Sequence, residues 1–318
     1  MFRTFVAIKV YNQWKKTLLL AIGLTLIFLS CKKDNNDETT SGGAFPKTIV
    51  EETIGSIGTV KTTETYTLSG NKITAFERKV VDNGTPTTDE VYTITYNGEL
   101  ITAISIKSNS QSNRNYTYNF TYNGNNLQSI VRNDNAQKIS YEYVNGKISK
   151  KTTESGSEIN KYSYTYDKNK ITMIAHSSFV GFNDYYIYSL NPDGTVASLE
   201  KATYVGAVPD QNTKGTCTYQ YDNKPNIYQR DLFKYLAEIE LISNYNYYGD
   251  YYRDPLIRTV AHNVVSYTKN LHNNTQADYK DLENDTRTFS YQWNSNNTPK
   301  SAEYKKNNAH KATYTYTY

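Results

Sequence analysis

The sequence predicts an all-β protein, a single large, antiparallel and strongly curved up-and-down β-meander of hairpin repeats, with one short helical interruption near residues 231–242. Three observations predict this class. Tyr-x-Tyr runs recur along the chain, glycine-containing turns follow them, and a single stretch has helical spacing. Tyrosine makes up 32 of the 318 residues, and aromatic residues favour strands.

Each repeat is predicted to form one β-hairpin. In the copy over residues 92–104, Tyr92 and Tyr96 alternate with threonines before Asn97-Gly98, and an Ile-x-x-Ile run follows the turn. Alternation places the tyrosines on one face of the strand. Asn-Gly tolerates the positive φ of a type I′ turn, so we expect it to occupy the turn. Further copies cover residues 118–130, 141–149 and 164–174, with weaker ones around Gly70 and Gly194.

The tyrosine content also predicts the character of the core. Phenylalanine is present only ten times and methionine twice, so the core must use many rings that carry a polar tip. A buried tyrosine hydroxyl seeks a hydrogen-bond partner or water. We therefore expect sheets whose rings are covered while their hydroxyls stay paired.

Residues 231–242 interrupt the hairpin pattern. Apolar residues at positions 232, 233, 236, 239 and 242 follow helical spacing, and Asp231 is a suitable N-cap. A loop over 243–255 follows, and strands return from Val264 to the C-terminal Tyr314–Tyr318 run. The β domain is thus predicted over 47–318, with a helix and loop insertion at about 226–262.

The first thirty residues are predicted to be a signal peptide. A basic region is followed by an apolar run over 18–29, which is short for a membrane span. The sequence Phe28-Leu29-Ser30-Cys31 resembles a bacterial lipobox, which implies lipidation of Cys31 and attachment to a membrane. Residues 31–46 are mostly polar and are predicted to form a disordered tether.

The charge balance argues against a nucleic-acid-binding protein, and the cysteine content argues against an intrachain disulfide. The chain has 35 basic and 31 acidic residues, and four of the basic ones fall in the predicted signal peptide. The remainder is balanced and lacks the positive field that binds nucleic acid. If Cys31 carries lipid, Cys217 has no disulfide partner, and its alternating position beside Tyr219 predicts a buried thiol.

A tyrosine-rich loop is the candidate ligand site. Flat rings with hydroxyls beside a charged group suit a glycan or a peptide. The alternative is that the same rings pack as a plug or cap of the sheet. The candidate residues are Tyr247, Tyr248, Tyr251, Tyr252 and Arg253.

Signals for catalysis are sparse. The four histidines, at positions 176, 262, 272 and 310, have no partner at a metal-ligand spacing. No nucleophile elbow, phosphate-binding glycine loop or calcium loop is present. We therefore expect no enzyme activity, no catalytic residues, no metal and no cofactor.

The order of motifs resembles two families. Tyr-x-Tyr followed by Asp or Asn is distantly similar to the YD repeat of rearrangement-hotspot proteins. The lipobox, the tyrosine hairpins, the segment Tyr219–Asn226, the helix and Asn263-Val264-Val265 together resemble a Bacteroidetes lipoprotein family of unknown function with a porin-like fold. That resemblance implies an architecture and an outer-membrane location, on the cell-surface or the periplasmic face. It implies no activity or ligand.

The leading functional expectation is a non-catalytic binding or surface-interaction module for glycan or peptide. The alternative is a purely structural protein of the cell envelope. A hydrolase or an integral outer-membrane barrel comes third. A lipid-facing strand needs apolar residues on its outer face, whereas the mean hydropathy here is −0.71.

Overall fold

The computed structural model describes residues 44–55, 58–110, 115–176, 182–205, 208–209, 215–243, 260–271 and 285–318. The helix is α1 (Asp231–Ser243). The strands are β1 (Thr48–Gly55), β2 (Gly58–Ser69), β3 (Lys72–Asp82), β4 (Thr85–Asn97), β5 (Leu100–Ser108), β6 (Tyr116–Asn123), β7 (Asn126–Arg132), β8 (Gln137–Val144), β9 (Lys147–Ser155), β10 (Glu158–Asp167), β11 (Lys170–His176), β12 (Phe182–Leu190), β13 (Val196–Val205), β14 (Val208–Pro209), β15 (Gly215–Pro225), β16 (His262–Leu271), β17 (Asp285–Trp293), β18 (Pro299–Lys306) and β19 (Ala309–Thr317).

Eighteen of these strands form one closed antiparallel barrel. Strand β1 pairs with β2 on one side and with β19 on the other, so the first strand of the barrel meets the last. The two-residue β14 pairs along β13, and β13 pairs directly with β15. The predicted antiparallel meander and its one short helix are confirmed. The sequence left closure open, and the structure supplies it.

An up-and-down meander places alternate turns at opposite ends of the barrel. We call the end that carries the turns after β2, β4, β6 and β8 the entry rim, because α1 follows β15 at this end. The far rim carries the turns after β3, β9 and β18. These definitions follow from the antiparallel pairing of successive strands.

The tight turns differ in part from the type I′ prediction. At Asn145-Gly146 both residues have positive φ, 53° and 74°, as type I′ requires. At Asn97-Gly98 the asparagine instead ends β4, and Gly98 takes the first loop position with φ 57°. Gly124 has the same place and φ 58°. Glycine in the first loop position is typical of type II′, so the asparagine there belongs to the strand.

A β-bulge follows the turn in eight of the described hairpins and explains the Ile-x-x-Ile spacing. Residues three apart point to opposite faces of a regular strand, yet Ile101 and Ile104 are both buried. The register shows why, since Thr95 pairs with Ala103 and Tyr96 pairs with Ile101, which leaves Thr102 as an extra residue. The same shift occurs after residues 73, 86, 127, 148, 196, 299 and 310.

Tyrosine hydroxyls donate to carbonyl groups at six of these bulges. Tyr122 Oη donates to Ile101 O at 2.8 Å. This bond links the β6–β7 hairpin, which carries Tyr122, to the preceding β4–β5 hairpin, which carries Ile101. In every case the acceptor is the residue directly before the extra one. Such a bond contributes about 0.5–1.5 kcal/mol net. The six donor–acceptor pairs are Tyr96–Ile73, Tyr122–Ile101, Tyr143–Leu127, Tyr166–Ile148, Tyr221–Val196 and Tyr318–Pro299.

Helix α1 lies inside the barrel. Its Phe233 contacts Tyr66 on β2 with ring centroids 6.4 Å apart, and its Glu238 contacts Lys151 on β9 at 2.9 Å. Strands β2 and β9 are seven strand spacings apart, about 34 Å along the sheet, whereas a helix is only about 10–12 Å wide. One helix reaches both strands because the sheet wraps around it.

The inward-facing residues form two hydrophobic clusters. One combines β1–β8, β18 and β19 with α1, and the other joins β12, β13, β15, β16 and β17 around Tyr188, Leu199 and Tyr267. Helix side chains on several faces are buried, as expected for a helix enclosed on all sides. Among the described ranges, no helix is long and apolar enough to cross a lipid bilayer.

Candidate functional site

The candidate ligand site falls in the connection between α1 and β16. Tyr247, Tyr248, Tyr251, Tyr252 and Arg253 lie outside the described residues, and so does the predicted lipidation site, Cys31. Their predicted roles therefore stay predictions. The structure does describe the elements on both sides of the candidate segment.

A polar clamp joins the two ends of the insertion, which we define as residues 226–261. The Asn263 side chain is buried, and the two hydrogens of its Nδ2 are shared among both Asp222 oxygens, at 3.2 Å, and the carbonyls of Lys224 and Pro225, at 3.3 Å. The Asn263 backbone N–H also donates to Asp222 Oδ1 at 3.2 Å. The clamp thus holds the end of β15 beside the start of β16.

The clamp unites two motifs that the sequence presented 41 residues apart. Tyr-x-Tyr-Asp ends with Asp222, and the Asn-Val run after the helix begins with Asn263. Neither residue was singled out as a functional partner of the other. The residue types carried a signal, because a carboxylate and an amide at the two ends of an insertion are suited to pair.

The entry of the helix is fixed at the entry rim. Arg230, just before α1, donates to the carbonyl of Asn71 at 2.7 Å and lies over the Phe45 ring at 5.0 Å. The N–H of Asn226 donates to the carbonyl of Ala261 at 3.0 Å. The helix therefore begins at the rim and runs into the barrel.

A buried ion pair holds the inner part of the helix. Lys151 Nζ lies 2.9 Å from Glu238 Oε2, and the two side chains are 10% and 11% exposed. Burial opposes the charge of Lys151, but Glu238 together with Tyr164, Tyr141 and Tyr162 outweighs it and raises the pKa of Lys151 well above its usual value. Lys151 also lies 4.8 Å from the Tyr162 ring.

A second ion group holds the opposite side of the helix. Arg78 on β3 lies 2.8 Å from Glu64 on β2 and 3.6 Å from Glu240 of the helix. Burial opposes the charge of Arg78, but Glu64, Tyr92 and Glu240 outweigh it and raise its pKa. Ion pairs with Arg78 on β3 and with Lys151 on β9 thus hold α1 from two sides.

A different charged group, which we call the rim cluster, lies on the inner face near the far rim. It consists of Lys269, Asp285, Arg287 and Lys306. Asp285 Oδ2 is 4.0 Å from Lys269 Nζ, 3.3 Å from Arg287 Nη2 and 3.7 Å from Lys306 Nζ. The pKa of Lys269 is lowered by burial and by the two other cations, against the attraction of Asp285.

Sequence reasoning missed the rim cluster. Its members are on three strands, and antiparallel pairing places Lys269 opposite Asp285 and Arg287 opposite Lys306. Nothing local links positions 269, 285 and 306, because their proximity depends on the register of the barrel.

Side chains that could act as nucleophiles, bases or metal ligands lie at separate places in the barrel. Cys217 is buried, and burial raises the pKa of its thiol to about 11, so the thiol is protonated at neutral pH. Ser163 Oγ lies 2.9 Å from His176 Nε2 on the exposed outer face of β10 and β11. Within the described part of the chain, no group of three or more His, Cys, Asp or Glu side chains is placed to hold a metal ion.

Comparison with known proteins gives similarity of structure alone. No model of a known protein family matches the chain, and no curated protein sequence matches it. Solved structures similar to it include the following two. One is a porin-like protein from Bacteroides uniformis, with 14% identity, a TM-score of 0.41, and coverage of 86% of this chain and 96% of that one. The other is a TcdB2-TccC3-TEV structure, with 11% identity and a TM-score of 0.39, covering 80% of this chain but 12% of that one.

Proposed function

We propose that this chain is an exported, lipid-anchored and non-catalytic binding module of the outer membrane, which presents residues 245–253 to a glycan or a peptide. The observation that carries the proposal is that buried polar contacts hold the described elements on both sides of the candidate segment, α1 before it and the start of β16 after it. The tyrosine-rich residues 245–253 are thereby tethered between two fixed elements, α1 and β16.

The upstream anchor is helix α1. Its Glu238 forms a buried ion pair with Lys151 on β9, and removal of one partner from such a pair costs about 3–5 kcal/mol. Its Glu240 lies 3.6 Å from Arg78 on β3 in a partly exposed pair. A helix held this firmly fixes the point from which the candidate segment departs.

The downstream anchor is the clamp of Asp222 and Asn263. Charge-assisted hydrogen bonds are roughly twice as strong as neutral ones, and Asn263 donates to both carboxylate oxygens. Fixing both ends of a segment lowers the entropy that it loses on binding. Tyrosines offer large contact areas at low entropy cost, which suits them to the proposed ligands.

Export and anchoring rest on the sequence. The apolar run that ends in Ser30-Cys31 favours a lipidated cysteine. Several acyl chains on one cysteine anchor a protein stably, because each buried CH₂ contributes about 0.8 kcal/mol.

A second candidate is a purely structural protein of the cell envelope. It is favoured by the six tyrosine hydroxyls that bond to bulge carbonyls, since those rings serve the barrel and not a ligand. On this alternative, the tyrosines of the insertion also serve packing.

A binding screen separates the two candidates. The full chain would be tested on glycan and peptide arrays beside a variant with Tyr247, Tyr248 and Tyr251 changed to alanine. The control changes Tyr185 and Tyr204 to alanine, an outward ring pair with centroids 4.2 Å apart. We expect binding by the wild type and the control but not by the triple variant. Absence of binding by the folded wild type, or equal binding by all three, contradicts the proposed site.

Location is tested by adding external protease to intact cells. Wild type is compared with Cys31→Ala, and Cys217→Ala is the control that removes the other thiol. Loss of the wild type and of Cys217→Ala, with protection of Cys31→Ala, indicates outward display through the lipid. Protection of the wild type until cells are lysed contradicts surface display and favours the periplasmic face.

A further inference from the structure

Two turns with the same hydrogen-bond pattern flank the clamp at the entry rim. One turn covers residues 191–195 between β12 and β13, and the other covers residues 294–298 between β17 and β18. Because β13 pairs with β15 and β17 pairs with β16, the turns lie on either side of the two strands that the clamp joins. We call them the first turn and the second turn.

The two turns differ in the charge of one acceptor. The Thr195 hydroxyl donates to Asp193 Oδ1 in the first turn, and the Thr298 hydroxyl donates to Asn296 Oδ1 in the second, both at 2.7 Å. The backbone N–H of each threonine donates to the same oxygen, at 3.0 Å and 3.3 Å. An amide oxygen therefore supports this turn as a carboxylate does, so the turn itself does not need the charge of Asp193.

The other carboxylate oxygen of Asp193 faces the histidine that begins β16. Asp193 Oδ2 lies 3.9 Å from His262 Nε2, and the two side chains are 49% and 32% exposed. On the other side of the ring, His262 Nδ1 lies 3.3 Å from the carbonyl oxygen of Lys224. A carbonyl only accepts hydrogen bonds, so Nδ1 carries the hydrogen. In the neutral ring, Nε2 is then an acceptor that faces a second acceptor.

We propose that Asp193 and His262 form a pH-sensitive latch on the insertion. When the ring gains a proton, Nε2 becomes a donor, and its contact with Asp193 changes from unfavourable to favourable. Histidine changes charge between about pH 5 and 8, so the latch closes on acidification and opens as the pH rises through this range. A closed latch fixes the residue directly before Asn263, and thereby the downstream anchor of the candidate segment.

The Asp193 carboxylate is already charged when the ring takes up its proton. The pKa of Asp193 lies below its ordinary value, chiefly because the Thr195 hydroxyl and backbone N–H donate to the carboxylate, and His262 lowers it further. The change in the contact therefore comes from the ring. Its effect on ligand binding rests on the proposed function of the insertion, whereas closure of the latch does not.

Two further charged side chains belong to the end of β15, and each has a different contact in the described structure. Asp222 accepts from the backbone N–H and the side chain of Asn263. Lys224 Nζ donates to Asn297 Oδ1 of the second turn at 2.6 Å. Neither contact uses the ring of His262. The first turn thus holds the clamp through a contact that depends on a proton, and the second turn holds it through one that does not.

Hydrogen exchange of two backbone amides measures the latch without any ligand. The N–H of Asn226 donates to Ala261, and the N–H of Asn263 donates to Asp222, so both are protected while β15 and β16 are held together. Exchange is followed by NMR on the full chain as a protection factor, which removes the intrinsic effect of pH on exchange. An exposed ion pair predicts protection about two- to fivefold higher at about pH 5.5 than at about pH 8.

Variants of the two turns assign the effect. Asp193→Asn gives the first turn the residue type of the second, so it should keep the fold and abolish the pH dependence, and His262→Gln should abolish it too. The control Asn296→Asp adds a carboxylate to the second turn, whose contact with β15 is made through Lys224, and should leave the pH dependence unchanged. Equal protection of the wild type at both pH values overturns the proposal, and so does a pH dependence that persists in Asp193→Asn. The binding screen is a separate measurement, so its failure contradicts the proposed function and not the latch.

Discussion

Replacement of Glu238 by leucine should destabilise the barrel strongly. The substitution keeps the approximate volume of the side chain but leaves the Lys151 cation buried, with its side chain 10% exposed, and without its partner. Breaking a buried pair in this way costs about 3–5 kcal/mol. Replacing both residues, as Lys151→Met with Glu238→Leu, removes the unpaired charge and should recover most of that loss.

Nearby residues provide a matched control. Lys150 and Glu142 are also 2.9 Å apart, but their side chains are 62% and 63% exposed. An exposed pair of this kind contributes about 0–1 kcal/mol, so Glu142→Leu should change stability by no more than that. The two pairs have the same residue types and distance and differ in burial.

Urea denaturation of the wild type, Glu238→Leu, Lys151→Met, the double variant and Glu142→Leu measures these free energies. A double-mutant cycle over Lys151 and Glu238 isolates their coupling energy. If Glu238→Leu costs no more than Glu142→Leu, the pair is accessible to water, and the placement of α1 inside the barrel is wrong.

Three further predictions concern the hydroxyl, the thiol and the clamp. Tyr122→Phe should cost about 0.5–1.5 kcal/mol in urea denaturation because it removes a hydrogen bond to a bulge carbonyl, whereas Tyr185→Phe on the outer face should cost nothing measurable. Cys217 should resist iodoacetamide until urea unfolds the chain, since its pKa is raised by burial to about 11. The folded state then holds a proton that the unfolded state releases, so this contribution to stability is complete below pH 9.0 and is lost as the pH rises through about 11. Asn263→Ala should cost about 1–3 kcal/mol by leaving the Asp222 carboxylate underpaired, and should speed protease cleavage within the insertion; unchanged cleavage would contradict the role of the clamp.

The hairpins were predictable because their signals are local. Alternating tyrosines, a glycine turn and a β-prone run fit within about a dozen residues, and each hairpin pairs its own two strands. Closure was not predictable in this way. Closure depends on the number of strands and on their stagger. All strands of the barrel contribute to these two quantities, so no single residue determines them.

The bulges show a signal that was present and not used. Ile101 and Ile104 are three residues apart, and both are apolar on a strand whose other face is polar. Regular alternation cannot bury both residues, so the spacing itself called for one extra residue between them. The hydroxyl of Tyr122 completes the pattern, because it donates a hydrogen bond to the carbonyl of Ile101 at the bulge.

The helix was predicted at 231–242 and is found at Asp231–Ser243, but its interior position was not predicted. Apolar residues occur on more than one face, including Tyr235 and Ala237, which is typical of an enclosed helix. The partners of Glu238 and Glu240 could not be identified, because Lys151 and Arg78 are distant in sequence.

The pairing of β1 with β19 has a consequence for how the chain folds. Nearly every other strand pairs with its neighbour in sequence, but Tyr314 bonds to Glu51 across 263 positions. Neighbouring hairpins can therefore form one after another as the chain emerges, whereas the seam waits for the final strand. Until then both outer strands keep open edges, which invite pairing with other chains. Loss of β19 would thus leave a curled sheet with open edges that is prone to aggregation, even if all the remaining hairpins stayed intact.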